Sequence, residues 1–510
     1  MEADRTRLEN ATVLGGLVLL ALLVRAATLA NPVIGFDEQF YLLVGTRMLH
    51  GAVPYVDIWD RKPIGLFLIY MVGAGIGPDP FLQYKLLALA FVAATAFTIY
   101  RMARKAGAGL QTALCAAALY VLWLNVCEGE AGQSPVFYNM PVTLAALLVQ
   151  SALQTRRRIV LRGVAAMLLV GLALQIKYTA IFEGMFFGLA LLWAGFQSGL
   201  RPRLIAAAAL IWAGCALAPT ALAAAWYWRM GALDTFVFAN FLSIFGKLPD
   251  PATARIEGLL TIAAILLPLA CVVAARYLGN RNLGARNLGS RPARPAALDF
   301  AASWLIAALT GFLLFGNFLS PGNALPLIGP LCLCCAPFLD DARRRMRIAV
   351  PLMLFVALAG QAVIWITASG KGSRAEAMAV AAAATPADGC IWVYDGYPAL
   401  YLLTGSCLPT RWVFPGHLNT ANEASVGAIG VDPATEVRRI LATQPKVIVD
   451  DAPAYDLGNR TTRAIVTAAL QRDYHLVRSV RTGTARFRLV YRRNAAGLAA
   501  PRAMLKVGQH

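Results

Sequence analysis

The chain has 510 residues, 58% of them hydrophobic and only 14% charged. A soluble chain would carry about a quarter charged residues, so the composition excludes a soluble globular protein. The formal net charge of +19 lies in short clusters between apolar runs, which argues for a lipid bilayer and against nucleic acid as the partner.

Apolar runs of about 20 residues, long enough to cross a hydrocarbon core of about 30 Å, recur over the first 370 positions. Spans are expected near 12–30, 80–100, 110–126, 136–153, 163–177, 179–197, 204–227, 256–275, 298–318, 322–339 and 348–368. Every second break is basic: Arg101, Arg104 and Lys105; Arg156, Arg157, Arg158 and Arg162; Arg201 and Arg203; the run from Arg276 to Arg294; and that from Arg343 to Arg347. Positive residues stay on the cytoplasmic side of a membrane, so the N-terminus is expected inside and the tail after residue 370 outside. Trp226-Tyr227-Trp228 ends the seventh span as an interfacial belt would. Thr28-Leu29-Ala30 looks like a signal-peptidase site, but Glu2, Asp4 and Glu9 offset Arg5 and Arg7, so a retained first span is expected. The expected fold is a polytopic α-helical membrane protein of about 11 transmembrane helices with a small C-terminal extracytoplasmic α/β domain, in a bacterial inner membrane.

Residues 31–79 read as a long first external loop within a transmembrane domain of residues 1–370. Pro32 and Gly35 end the first span, and residues 38–49 and 64–76 read as helices lying along the membrane surface. Residues 127–135 form a second external loop with Glu128 and Glu130, and residues 229–254 a further one with Asp234, Asn240 and Lys247. The imperfect repeat at 279–295 reads as a flexible cytoplasmic loop. From residue 371 to 510 the composition changes to a periplasmic α/β domain. Strands are expected at 391–394, 447–449, 475–480 and 487–491, and helices at 397–404, 434–443 and 461–472. That domain has no phosphate loop, metal-ligand spacing or nucleophile motif, and supports a scaffolding or acceptor-docking role. Cys390 and Cys407 are its only cysteines and a disulfide between them is expected in an oxidising compartment. Cys332, Cys334 and Cys335 lie in a span without His companions, and no metal site is expected there.

The residues able to carry chemistry gather at the expected outer face. Asp37 and Glu38 follow the first span, and Asp60-Arg61-Lys62-Pro63 runs into the second surface helix. A carboxylate can remove a proton while Lys or Arg grips a phosphate. Lys177, beside Tyr178, ends the fifth span at the same face; a lone Lys in hydrocarbon costs about 3 kcal/mol, so it points into a polar cavity or snorkels outward. Blander roles stay open: Asp37 as the N-cap of a helix starting at Glu38, Asp60 with Arg61 as a solvated ion pair, Lys177 as an interfacial anchor, and Glu128 and Glu130 as loop solvation.

The order Phe36-Asp37-Glu38, Tyr41, Pro54-Tyr55 and Trp59-Asp60-Arg61-Lys62-Pro63 before an apolar run resembles the first loop of GT-C glycosyltransferases. It is most similar to the branch of protein O-mannosyltransferases and the lipid A aminoarabinose transferase. The likeness covers residues 1–200, including Tyr138-Asn139-Met140 and Gln175-Ile176-Lys177-Tyr178; beyond them only the number and orientation of spans fit. It implies a polyprenyl-phosphate sugar donor and an envelope acceptor, whether glycolipid, glycan or protein hydroxyl. Asp37 would be the general base with Glu38 and Asp60 alongside, and Arg61, Lys62 and Lys177 would hold the donor phosphate. Tyr41, Tyr138, Asn139 and Glu130 would face substrate. Several relatives have an acid where this chain has Asn139, which leaves Glu130 or Asp60 as the second carboxylate. Some branches use a divalent cation and others none. A secondary transporter, or a non-catalytic envelope assembly protein, is the rival class. Transporters show internal repeats with broken helices and midplane charges, and this sequence has neither.

Overall fold

The computed structural model describes residues 2–284, 296–386 and 388–494. All eleven expected spans are helical. They fall in α1 (Glu2–Leu29), α4 (Pro80–Lys105), α5 (Leu110–Leu124), α6 (Ser134–Thr155), α7 (Ile159–Leu174), α8 (Ala180–Gln197) and α9 (Pro202–Arg229), and in the helices Ala252–Gly284, Ala296–Phe315, Leu325–Cys335 and Val350–Lys371. Among the described residues seven helices are long and apolar enough to cross a membrane, and four expected spans are shorter apolar helices, Leu110–Leu124, Ile159–Leu174, Phe300–Phe315 and Pro321–Cys335. The chain is an integral membrane protein. The two helices expected along the membrane surface form as α2 (Phe36–Met48) and α3 (Ile64–Gly75). Of the 279–295 repeat, residues to Gly284 continue a helix instead of forming a loop; residues 285–295 lie outside the described residues, as do residues 495–510 of the C-terminal domain.

Local chemistry explains the helix ends. The Asp79 carboxylate accepts from Phe81 N at 3.1 Å and Leu82 N at 3.3 Å, and Pro80 sits where no helical N–H is needed. Membrane helices pack through small residues, and α7 does so at Gly171, where an added Cβ would stand 2.7 Å from Ala216 O of α9.

The chain divides into two compact units. The first comprises Met1–Ala30, Lys62–Leu233 and Asp250–Ile366, the helical bundle. The second comprises Asn31–Arg61, Asp234–Pro249 and Thr367–His510. The first external loop is therefore split: its residues up to Arg61 fold with the C-terminal segment, and those from Lys62 fold with the bundle. The second unit is built on a mixed sheet in the order β1-β2-β4-β3, with β1 (Ile391–Val393) parallel to β2 (Val447–Ala452) and β4 (Arg486–Arg493) antiparallel to both β2 and β3 (Tyr474–Thr482). Trp59 of the first loop is buried in the same core as Trp392, Trp412, Ile448 and Val466. Phe238, from the 234–249 segment, packs against that core. A sheet with one apolar face needs partners to cover it, and here loops far away in sequence supply part of them.

Candidate active site

Asp37 and Glu38 occupy the first turn of α2, where the helix N-terminus favours negative charge. Gly35 is the N-cap and no side chain caps the helix, so Asp37 is not held in a capping role. The Tyr41 hydroxyl, one turn on, donates to Asp37 Oδ2 at 3.4 Å. Burial first, and then the Asp37 charge, push the Tyr41 phenol well above its usual range, so it remains a donor. Glu38 is buried, and its carboxylate lies where a Cβ on residue 35 would stand, 2.2 Å from Oε2. A larger residue there would displace the Glu38 carboxylate. Gln39 pins the helix by donating to Val33 O at 3.1 Å and accepting from Ala399 N at 3.3 Å.

Phe36 and Phe40, flanking Asp37, lie 5.1 and 5.0 Å from the Phe414 ring. His417 stands edge-on to Trp59 at 4.6 Å and to Phe40 at 5.9 Å. Its Nε2 is 3.9 Å from Asp60 Oδ1, and Asp60 also accepts from Arg61 N at 2.6 Å. Burial pushes His417 down to about 3 against the opposing pull of Glu423. The imidazole beside Asp60 is therefore neutral at physiological pH.

Asp60 is 6% exposed, not a solvated turn residue. Arg61 does not pair with it. Its guanidinium grips Glu423 with Nη1 at 2.5 Å and Nη2 at 2.6 Å, and Nη2 also donates to Ala428 O at 2.9 Å. Lys247 adds a second cation at 3.1 Å from Glu423. Burial pushes the Glu423 carboxyl up, but the Arg61 hydrogen bonds and charge, with Lys247, outweigh it and hold it at about 2. Arg61, expected to hold phosphate, is committed instead to a fork-on-carboxylate clamp. Tyr55 sits at φ 69, a strained backbone for a non-glycine residue, with its hydroxyl 3.3 Å from Asn240 Oδ1.

Lys62 and Lys177 belong to the helical unit. Leu66 N donates to Gln175 O at 3.1 Å, which fastens the start of α3, next to Lys62, onto the segment that carries Lys177. Lys177 Nζ donates to Asn323 Oδ1 at 2.9 Å. It reaches a polar partner within the protein. Tyr138 is buried, and the Asn139 amide donates to Tyr120 Oη at 3.2 Å and Leu325 O at 3.3 Å, tying α6 to its neighbours. The two loop acids are not simply solvated. Glu130 is buried and its backbone carbonyl accepts from Thr28 at 3.3 Å, while Glu128 accepts from Ser320 Oγ and from Gly322 N at 3.4 Å. Cys390 and Cys407 are disulfide-bonded, with Cα atoms 4.9 Å apart. Among the described residues no three His, Cys, Asp or Glu side chains gather as metal ligands.

No protein family matches the sequence, and no curated protein does. Solved structures do match. The ArnT protein of Cupriavidus metallidurans bound to undecaprenyl phosphate aligns with 95% of this chain and 98% of its own, at a TM-score of 0.61 and 15% identity. Its apo form gives 0.60 at 14%. The mycobacterial arabinofuranosyltransferase AftD aligns with 94% of this chain but 40% of its own, at 0.50 and 14%. The chain has the GT-C fold.

Several buried charges of this GT-C bundle escaped the sequence reading. Arg25 of α1 donates to the carbonyls of Gly129 and Ala131, close enough to Glu130 to feel its charge. Lys85 of α4 donates to Thr28 O at 2.7 Å, and Glu183 of α8 accepts from Trp304 Nε1 at 2.9 Å. The signal was present in each case: an ionisable residue inside an apolar run is costly and has a partner.

Proposed function

We propose that this protein transfers a sugar from a polyprenyl-phosphate donor to a hydroxyl of an envelope acceptor, at the outer face of a bacterial inner membrane. The observation that carries the reading is the end-to-end likeness to ArnT bound to undecaprenyl phosphate. The placement of Asp37 in the first turn of a helix, without a capping role, supports it further.

In this scheme the acceptor oxygen attacks the anomeric carbon as the bond from that carbon to the phosphate oxygen breaks, with inversion. Asp37 takes the acceptor proton, and the Tyr41 hydroxyl holds its carboxylate in orientation. The leaving group departs as polyprenyl phosphate, already anionic, so no general acid is required. Lys62 and Lys177 stabilise the departing charge. Asp60, beside a neutral His417, and Glu38 keep the loop that carries the base in shape.

Lipid and glycan profiling of a strain lacking the gene tests this reading. One sugar should vanish from an envelope polymer or lipid while its polyprenyl-phosphate form accumulates. Unchanged glycans together with an unchanged donor pool would overturn it.

A further inference from the structure

A cavity of about 470 Å³ opens at the ends of three bundle helices, within the range of ligand-holding pockets. Arg101, Arg104 and Lys105 of α4 and Arg162 of α7 line it, with Leu147 and Leu148 of α6. Among the described residues no carboxylate lines it. The three α4 cations lie at i, i+3 and i+4, on one face of the helix, where like charges repel. Part of their hydrogen bonding serves the fold. Arg104 Nη1 donates to Ala108 O at 3.0 Å, and Arg162 Nη1 donates to Ser151 O at 2.8 Å and Arg157 O at 2.9 Å. Arg101 lies over the Phe97 ring at 5.9 Å. Those bonds satisfy helix-end carbonyls and a ring face but cancel no charge. The acid bonded nearby, Glu9, accepts from the Tyr100 hydroxyl at 2.7 Å and is not part of the lining.

We propose that this cleft binds the phosphate of an anionic membrane phospholipid. Three observations favour that occupant. The cavity lies at helix termini of an integral membrane protein, the level at which lipid head groups sit. Its wall joins four cations to leucines, matching a ligand that is charged at one end and apolar at the other. Three of the cations are arginines, whose planar fork pairs with two phosphate oxygens at once. A basic cluster in a flat loop would attract anionic lipid only diffusely, by about 1 kcal/mol per residue; a cleft that collects cations from two helices holds one head group in place. The positive residues of this membrane face therefore do more than set orientation. This site is independent of the sugar-transfer reading.

The test uses the full chain in detergent, incubated separately with phosphatidylglycerol, with phosphatidylcholine and with inorganic phosphate, and read by native mass spectrometry. Phosphatidylglycerol should be retained at least tenfold over phosphatidylcholine, and millimolar inorganic phosphate should not displace it. R101Q/R104Q should lose that retention tenfold. R157Q/R158Q, which removes the same charge from the neighbouring loop outside the cavity, should keep it. Should the first double variant fold poorly, R101Q alone spares the helix-end carbonyl bonds and should still lose threefold. Equal retention of both lipids, equal loss in both double variants, unchanged retention in R101Q, or displacement by free phosphate would each overturn the proposal.

Discussion

The two units hold their charges in different ways. In the second unit opposite charges meet. Arg61 and Lys247 converge on Glu423, Arg463 bridges Asp395 at 2.8 Å and Asp450 at 2.5 Å, and Arg486 and Arg488 converge on Asp451. In the helical unit the hydrogen bonds of Arg25, Lys85, Lys177 and Glu183 run to carbonyls, an amide and an indole. A charge clamped by its opposite holds the second unit's loops in place. Arg61 is a clamp on Glu423, whereas its sequence neighbour Lys62 belongs to the helical unit and holds phosphate in the proposed scheme.

That contrast can be broken or sharpened by substitution. The largest effect expected outside Asp37 is on donor use: K62A and K177M should each lower turnover about a hundredfold, as loss of a charge-stabilising group does, and raise the apparent KM for donor more than for acceptor. Equal effects on both substrates would contradict phosphate holding. Next comes E423A, which leaves Arg61 without its carboxylate and should cost about 3–5 kcal/mol in thermal or denaturant unfolding. C390S/C407S opens a loop with a sequence separation of 17 and should cost about 3 kcal/mol, measured with and without reductant on the parent chain. The smallest effect is expected for E183Q, because Gln still accepts from Trp304; a change of about 1 kcal/mol or less should be seen. If E183Q proved as costly as E423A, the contrast between the units would fail.

Acid should act on the second unit in two stages. His417 is held near 3 against an ordinary 6.5, so only the unfolded chain gains its proton over that window and stability falls as pH drops from 6.5. Glu423, held near 2 against 4.5, contributes stability above pH 4.5 that is lost as pH falls toward 2. H417Q should flatten the upper part of the acid unfolding curve and leave the lower part, as followed by tryptophan fluorescence. An unaltered curve would show that His417 titrates normally.

Local physics made much of this fold legible in the sequence. Span length, the Pro and Gly stops around α2 and α3, and the apolar run that opens β2 are encoded within a few residues of where they act. The nearness of Asp37 and Tyr41 is likewise a helical i, i+4 relation. What stayed hidden lies far apart along the chain. Arg61 and Glu423 are separated by 362 positions, and no periodicity links them. The same holds for Trp59 entering a core made mostly by residues after 390, and for His417 beside Asp60. Nothing in the first-loop motif marks Arg61 as a structural clamp; only the packing shows it.

Turnover of a synthetic polyprenyl-phosphate sugar by the purified chain, compared between the parent protein and D37N, bears most directly on sugar transfer through Asp37. The parent should release polyprenyl phosphate and form a product of inverted anomeric configuration; D37N should be slower by about 10²–10⁴-fold while melting at the same temperature. Equal turnover by D37N, or a product of retained configuration, would contradict it.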